Sequence, residues 1–116
     1  MNVCILGDGL VSLTLAKTLV NKGIYVDIFV DQKKNKINKS RTLGISKDNI
    51  EFLNKNVLNI NKLLWKINKI EIYTEKLKDQ KILDFNDKEL FSIIKNHELY
   101  NRLISSLNKN VYFKKK

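Results

Sequence analysis

The stretch Val3-Cys4-Ile5-Leu6-Gly7-Asp8-Gly9-Leu10-Val11-Ser12 decides the fold, because two glycines separate a short apolar run from the start of an apolar helical pattern. This order predicts a β-strand, a tight turn at Gly7 and Gly9, and a helix that begins at Leu10. Such a turn suits the pyrophosphate of a dinucleotide. One glycine makes the bend, the next lets the phosphates approach the backbone, and the helix N-terminus offers N–H groups without partners. We therefore expect a ligand to lie against Gly9, where a Cβ atom would obstruct it.

The residues after the glycines support this interpretation. A helix that is apolar on nearly all sides is predicted from Leu10 to Leu19, and Gly23 stands where a residue that ends a helix adopts the left-handed conformation. The run from Ile24 to Val30 is rich in residues that favour β-strands. Asp31 follows the glycines at about the sequence spacing at which dinucleotide-binding folds place a carboxylate that accepts hydrogen bonds from the adenosine ribose.

Two other interpretations of the glycine turn are considered. The sequence Ala16-Lys17-Thr18 is similar to the end of a phosphate-binding P-loop, but the glycines that this motif needs are missing at Val11 and at Ala16. The second alternative is a turn between a strand and a helix that binds no ligand, and the sequence leaves it open.

Composition predicts a globular protein without a membrane span. The chain has 116 residues, of which 43% are hydrophobic and 29% charged, and this length suits one domain at most. No apolar stretch approaches the roughly 20 residues of a membrane-spanning helix, and the N-terminus lacks the features of a signal peptide. We expect a cytoplasmic protein. Its single cysteine, Cys4, is predicted to be a buried, small hydrophobic residue of the first strand.

The formal net charge of +10 comes mostly from lysine, with arginine only at positions 41 and 102. Recognition of base edges favours arginine, and no aromatic residues accompany the lysines in a stacking motif, so specific nucleic-acid binding is not expected. The clusters at Lys33–Lys39 and Lys114–Lys116 are interpreted as a solvated loop and a solvated tail. Peripheral contact of these lysines with an anionic membrane surface is the alternative.

The middle of the chain has the pattern of a helix followed by a β-hairpin. Ser46 is placed to cap a helix that carries Ile50, Leu53 and Val57. Trp65 is expected to anchor the core. The segment 69–74 alternates with period two, and the segment 81–85 is predicted to pair with it across a turn at 75–80.

The sequence pattern of the C-terminal part predicts an extended segment, a helix and a last strand. Residues 91–94 are extended in pattern, Asn96 is predicted to cap the following helix, and Val111-Tyr112-Phe113 has strand character. His97, the only histidine, is expected to be an exposed residue of the first helical turn. No second histidine or cysteine accompanies it, so neither a metal site nor a Ser-His-Asp set is predicted.

In the order of its predicted strands, turns and helices, the chain resembles the N-terminal part of FAD-dependent aromatic-ring monooxygenases, especially the hydroxylases of ubiquinone biosynthesis. Residues 5–16 resemble the first strand, turn and helix of that family, and Arg41-Thr42-Leu43-Gly44-Ile45-Ser46 resembles its Arg-x-x-x-Leu/Ile-Ser stretch. Residues 64–72 resemble its next helix and strand, and residues 93–107 resemble its segment leading into a helix beside the cofactor. The first two stretches are the specific ones.

The resemblance implies an α/β fold, with residues 1–116 as the N-terminal, incomplete part of a Rossmann-like FAD/NAD(P)-binding domain that has a parallel sheet, helices and a β-hairpin insertion. It implies that FAD is the cofactor, that NAD(P)H or another donor supplies electrons, and that a small aromatic molecule, such as a polyprenylated phenol, is hydroxylated. The residues that would bind FAD are Gly7, Gly9, Leu10, Val11, Ser12, Asp31 and Arg41.

The sequence departs from the family in several respects. Ser12 replaces the third glycine of the family motif, and Asp31 lies one residue after the expected ribose-binding position, which falls at Val30. The second FAD motif of the family, Gly-Asp-Ala, is not present. No catalytic residue is assigned within these residues, which are expected to be inactive alone. A nucleotide-binding module without catalysis, or another FAD/NAD-dependent oxidoreductase that shares the first motif, remains an alternative; the sequence does not indicate the oligomeric state.

Overall fold

The computed structural model describes residues 1–31, 39–74 and 77–116, of which 68, 70, 72, 74 and 77–90 are described by their backbone alone. The predicted loop at Lys33–Lys39 therefore lies outside the described residues except for Lys39. In chain order the elements are β1 (Asn2–Leu6), α1 (Leu10–Asn21), β2 (Tyr25–Phe29), β3 (Thr42–Ser46), α2 (Lys47–Asn56), a 3₁₀ turn (Asn61–Leu63), β4 (Trp65–Thr74), β5 (Leu77–Lys95), α3 (Asn96–Asn108) and β6 (Phe113–Lys115).

A parallel sheet carries the first strand. Its strand order is β1-β2-β6, and Leu6 at the end of β1 is opposite Phe29 at the end of β2. The helix α1 connects β1 to β2, as in a βαβ unit. The helix α1 ends as predicted, with Gly23 in the left-handed conformation. Gly23 has φ of 76°, and its N–H donates to the carbonyl of Val20 at 3.0 Å.

A second, antiparallel sheet has the strand order β3-β5-β4. The predicted hairpin is confirmed, with Ile70 opposite Phe85 and Ile72 opposite Leu83. The strand β5 begins at Leu77, so residues 77–80 belong to the strand, and the rest of the predicted turn, 75–76, lies outside the described residues. Ser46 caps α2 as expected, because its Oγ accepts a hydrogen bond from the N–H of Asn49 at 3.2 Å.

One face of the parallel sheet forms the main core. Val26 and Ile28 of β2 are completely buried beneath α1 and α3. The buried side chains of α1 are Leu13, Ala16 and Val20, and those of α3 are Leu99, Leu103 and Leu107. Their spacing of three and four residues is that of a helical face packed on a sheet. The predicted α/β class, with a parallel sheet, helices and an inserted hairpin, is confirmed.

The other face of the parallel sheet, which we call the open face, carries no helix among the described residues and is covered only in part, by the ring of Tyr112 against Tyr25 and by Lys116 over Phe29. It carries Leu6, Tyr25 and Phe29, of which Leu6 is 80% exposed. Cys4 lies on this face and is exposed, so the prediction that it is buried is wrong. Alternate residues of a strand point to opposite faces, and the helices cover the face that receives Val3 and Ile5.

Four further sequence predictions are corrected. Trp65 is 64% exposed at the first position of β4, so it is not a core anchor, and the segment that resembled a helix and then a strand is strand from Trp65 onwards. The N-cap of α3 is Lys95, so Asn96 is the first residue of the helix. His97 is only partly exposed, and its Nδ1 is buried without a hydrogen-bond partner among the described residues.

None of the helices in the described part of the chain has the length and apolar character needed to cross a bilayer.

Candidate functional site

The glycine turn, residues 7–9, joins β1 to α1 at the carboxyl end of the parallel sheet. Gly7 has φ of 99°, a conformation that side chains with a Cβ rarely adopt, and its N–H donates to the carbonyl of Phe29 at 2.8 Å. The backbone of the turn therefore requires glycine at this position. The hydrogen bond also fixes the turn to the end of the neighbouring strand β2.

Gly9 differs from Gly7, since nothing in the fold requires glycine there. Its φ of −70° and ψ of 174° are extended values that any residue adopts. A Cβ atom built on Gly9 would have no atom of the described chain within 4 Å. The space in front of Gly9 is open, so the fold leaves free the position at which we expect phosphates to approach.

The first turn of α1 presents N–H groups beside this open space. The N–H of Leu13 donates to the carbonyl of Gly9 at 2.9 Å, which closes the first helical hydrogen bond. The N–H groups of Leu10, Val11 and Ser12 precede it and have no acceptor within the helix. No side chain caps this helix, and its first turn holds no acidic residue. These N–H groups and the positive end of the helix dipole form a site suited to an anion.

Ser12 fits close beneath the turn. An ideal Cβ on Gly7 would lie 3.8 Å from the Oγ of Ser12, which is an ordinary contact. The side chain of Ser12 is thus accommodated at the position where the family has its third glycine.

Asp31 lies two residues beyond the end of β2, on the same edge of the sheet as the glycine turn. Because the strand ends at Phe29, the alternation of side chains along it does not determine the direction of the Asp31 side chain. Asp31 is exposed. Asp31 therefore lies at the carboxyl edge of the sheet, and its contact with a ribose stays a prediction.

Arg41 precedes β3 and is exposed. Its carbonyl accepts a hydrogen bond from the N–H of Asn96 at 3.0 Å, which joins the start of β3 to the start of α3. The stretch that follows Arg41 reaches α1: Leu43 and Gly44 line a groove together with Leu10 and Val11. The two stretches that carry the family resemblance are therefore neighbours in space.

This groove, which we call the outer groove, runs between α1, α2 and β3 and has a volume of about 520 Å³. Val11 is 85% exposed and Phe52 55% exposed along it. Sequence reasoning identified α1 as apolar on nearly all sides, but it did not identify the groove. The residues that line it are Leu10, Val11, Thr14, Leu15, Thr18, Leu43, Gly44, Ile45, Asn49, Phe52, Leu53 and Leu99.

Sequence reasoning also missed two residues that contact the glycine turn from distant parts of the chain. The hydroxyl of Tyr100 donates to a carboxylate oxygen of Asp8 at 3.0 Å, and Nζ of Lys115 lies 3.7 Å from the same oxygen. Burial raises the pKa of Tyr100, and the hydrogen bond to Asp8 and the negative charge of Asp8 raise it further. No local signal in the sequence connects residues that lie 92 positions apart.

The raised pKa of Tyr100 makes a test of this contact possible. We expect one of the four tyrosines to ionise at a pH above the ordinary value of about 10, and this step to be absent in Tyr100→Phe. Because the pKa of Tyr100 is raised in the folded state, its contact with Asp8 contributes fully to stability below a pH of about 10. This contribution is lost as the pH rises through the pKa that Tyr100 has in the folded protein. Ultraviolet absorbance of the phenolate measures the step, and the contact would be contradicted if the step lost in Tyr100→Phe lay at the ordinary pKa of about 10.

No known protein-family model matches the sequence. No curated protein matches it either.

Solved structures do resemble it. The p-nitrophenol 4-monooxygenase PnpA of Pseudomonas putida aligns over 98% of this chain and 31% of its own, with a TM-score of 0.78 and 14% identity. HpxO of Klebsiella pneumoniae, solved with FAD and uric acid, aligns over 99% of this chain and 30% of its own, with a TM-score of 0.75 and 12% identity. The 2,6-dihydroxypyridine-3-hydroxylase of Arthrobacter nicotinovorans aligns over 98% of this chain and 28% of its own, with a TM-score of 0.72 and 10% identity.

These likenesses show that the chain shares its fold with the corresponding part of monooxygenases and hydroxylases. The chain spans about a third of the length of each of these proteins.

Proposed function

We propose that the chain binds the adenosine diphosphate half of FAD and forms the first cofactor-binding part of an aromatic-ring monooxygenase. The observation that carries this proposal is Gly9, whose glycine identity has no explanation within the fold and whose open side faces the N–H groups of the first turn of α1. The cofactor in the HpxO structure, which has the same fold, gives further support.

The residues of the turn fit this ligand by their chemistry. The N–H groups of Leu10, Val11 and Ser12 donate to pyrophosphate oxygens, and Gly9 leaves room for those oxygens. The carboxylate of Asp31 accepts hydrogen bonds from the ribose hydroxyls. Arg41 holds phosphate or flavin oxygens by charge-assisted hydrogen bonds from its guanidinium group.

A bound flavin would take electrons from a donor such as NAD(P)H and use O₂ to hydroxylate an aromatic ring. The residues of this chain would bind and orient the cofactor, and no residue among those described is assigned to the oxygen chemistry. For the substrate we propose a polyprenylated phenol on the way to ubiquinone, because the order of the chain's elements resembles the hydroxylases of ubiquinone biosynthesis. The parts of the enzyme that would enclose the flavin and the substrate are not among these residues.

The experiment that tests the proposal is a calorimetric titration of the 116-residue chain with ADP, FAD, NAD and inorganic pyrophosphate. We expect ADP and FAD to bind with similar, micromolar or weaker dissociation constants, because an anion at a helix N-terminus gains only about 0.3 to 2 kcal/mol. FAD that binds no better than pyrophosphate would contradict the adenosine site. Absence of binding by all four would contradict the proposal as a whole.

Asp31→Ala separates the ribose contact from the phosphate contact. We expect this variant to bind ADP roughly tenfold more weakly, because a hydrogen bond to a charged group is lost, and to bind pyrophosphate as the wild type does. An equal effect on both ligands would mean that Asp31 acts through general charge and not through the ribose.

A further inference from the structure

Asp8 brings a negative charge to the position where the proposed site receives phosphates. It lies between the two glycines of the turn, directly before the N-cap of α1. A carboxylate at this place has two unfavourable options. It can turn towards the free N–H groups of α1 and occupy them, or it can remain beside the phosphates and repel them.

The structure shows a third arrangement. The Asp8 carboxylate faces α3 and β6, where it accepts a hydrogen bond from the hydroxyl of Tyr100 at 3.0 Å and pairs with Nζ of Lys115 at 3.7 Å. No side chain caps α1, so the carboxylate does not occupy the helix N-terminus. The side chains of Lys115 and Asp8 are 35% and 27% exposed, so solvent screens this ion pair only in part.

We propose that Tyr100 and Lys115 are positioning residues of the glycine turn, which hold the Asp8 carboxylate away from the N-terminus of α1 and offset its charge when a phosphate ligand binds. This inference rests on the proposed function and extends it to α3 and β6. It explains why residues of these distant segments contact the glycine turn. The two contacts also attach the turn to the core helix α3 and to β6, which limits the motion of the backbone that receives the ligand.

The test is a double-mutant cycle with ADP as the ligand, measured by titration calorimetry of the 116-residue chain. We expect Tyr100→Phe and Lys115→Met each to weaken ADP binding by roughly three- to tenfold. In the background of Asp8→Ala, where neither charge nor acceptor remains, each change is expected to alter the affinity by less than about twofold. A purely structural role of Tyr100 or Lys115 would persist in that background.

Lys114→Met is the matched control for charge. Lys114 is the exposed neighbour of Lys115 in β6 and pairs in register with Asp27 of β2, away from Asp8. Its replacement removes one positive charge without removing a contact to the glycine turn, and we expect a change in affinity below about twofold. If Lys114→Met weakens ADP binding as much as Lys115→Met, the effect is one of net charge and the inference is wrong.

The ligand-free protein separates this inference from the proposed function. We expect the heteronuclear NOE of the Gly9 amide, which reports motion on the picosecond to nanosecond timescale, to fall in Tyr100→Phe. Wild-type binding of ADP with no effect of either substitution would overturn the inference and leave the proposed function intact. If the wild type binds no ADP, the proposed function fails, and an unchanged NOE in Tyr100→Phe would overturn the positioning role as well.

Discussion

Replacement of Gly9 by Asp is expected to abolish measurable ADP binding, a loss of at least roughly a hundredfold, while the chain stays folded. The new carboxylate would stand in the open space before the N–H groups of α1, where it would both occupy volume and repel phosphate. Folding is spared because Gly9 has extended φ and ψ, and no described atom lies within 4 Å of the added Cβ. Titration calorimetry and urea unfolding of the same preparation measure the two effects.

A comparison with Asn108→Asp controls for the added negative charge. Asn108 is exposed at the far end of α3, so this substitution changes the net charge equally without entering the glycine turn. We expect its affinity for ADP to stay within about twofold of the wild type. Normal ADP binding by Gly9→Asp would show that the ligand does not lie against the turn.

Gly9→Ser distinguishes a requirement of the ligand from a requirement of the fold. Serine caps a helix better than glycine and restricts the unfolded chain, so the free energy of unfolding should rise by about 0.5 to 1 kcal/mol while ADP binds more weakly. Gly7→Ser should have the opposite effect on stability, a loss of about 1 to 2 kcal/mol, because φ at Gly7 is 99°. A loss of stability in Gly9→Ser would mean that the fold itself needs this glycine.

The local features of the fold were predictable from short stretches of sequence. The turn at Gly7, the end of α1 at Gly23 and the cap of α2 at Ser46 each depend on the backbone preferences of one residue and its near neighbours. The pairing of the hairpin follows from alternation along two adjacent segments. The residues that make these contacts are close to one another in the sequence, so a pattern of residue types is enough to predict them.

The failures concern which surface of an element is covered. The strand β1 is apolar on both sides, and only the position of the helices decides that Ile5 is buried and Cys4 exposed. Trp65 stands in a short apolar cluster that predicts a core position, but it begins an outer strand of the antiparallel sheet and is exposed. The contacts of Tyr100 and Lys115 with Asp8 depend on the return of α3 and β6 to the parallel sheet, which the sequence does not encode locally.

Two leucines of α1 test whether the outer groove is open in solution. Leu13 is completely buried against the core, whereas Leu15, two residues later on the same helix, is 48% exposed in the outer groove. Leu13→Ala is expected to lower the free energy of unfolding by about 2 to 5 kcal/mol, since it removes buried methyl groups and leaves a cavity. Leu15→Ala makes the same chemical change on the open side, and we expect a loss below about 1 kcal/mol.

The comparison is informative because a small domain has only about 5 to 15 kcal/mol of stability in total. Leu13→Ala therefore removes a large fraction of it, and urea unfolding followed by circular dichroism should show a clear shift of the midpoint. If Leu15→Ala destabilises the chain as much as Leu13→Ala, another surface covers Leu15 in solution. The outer groove would then be closed, and its apolar lining beside the glycine turn would not be exposed to solvent.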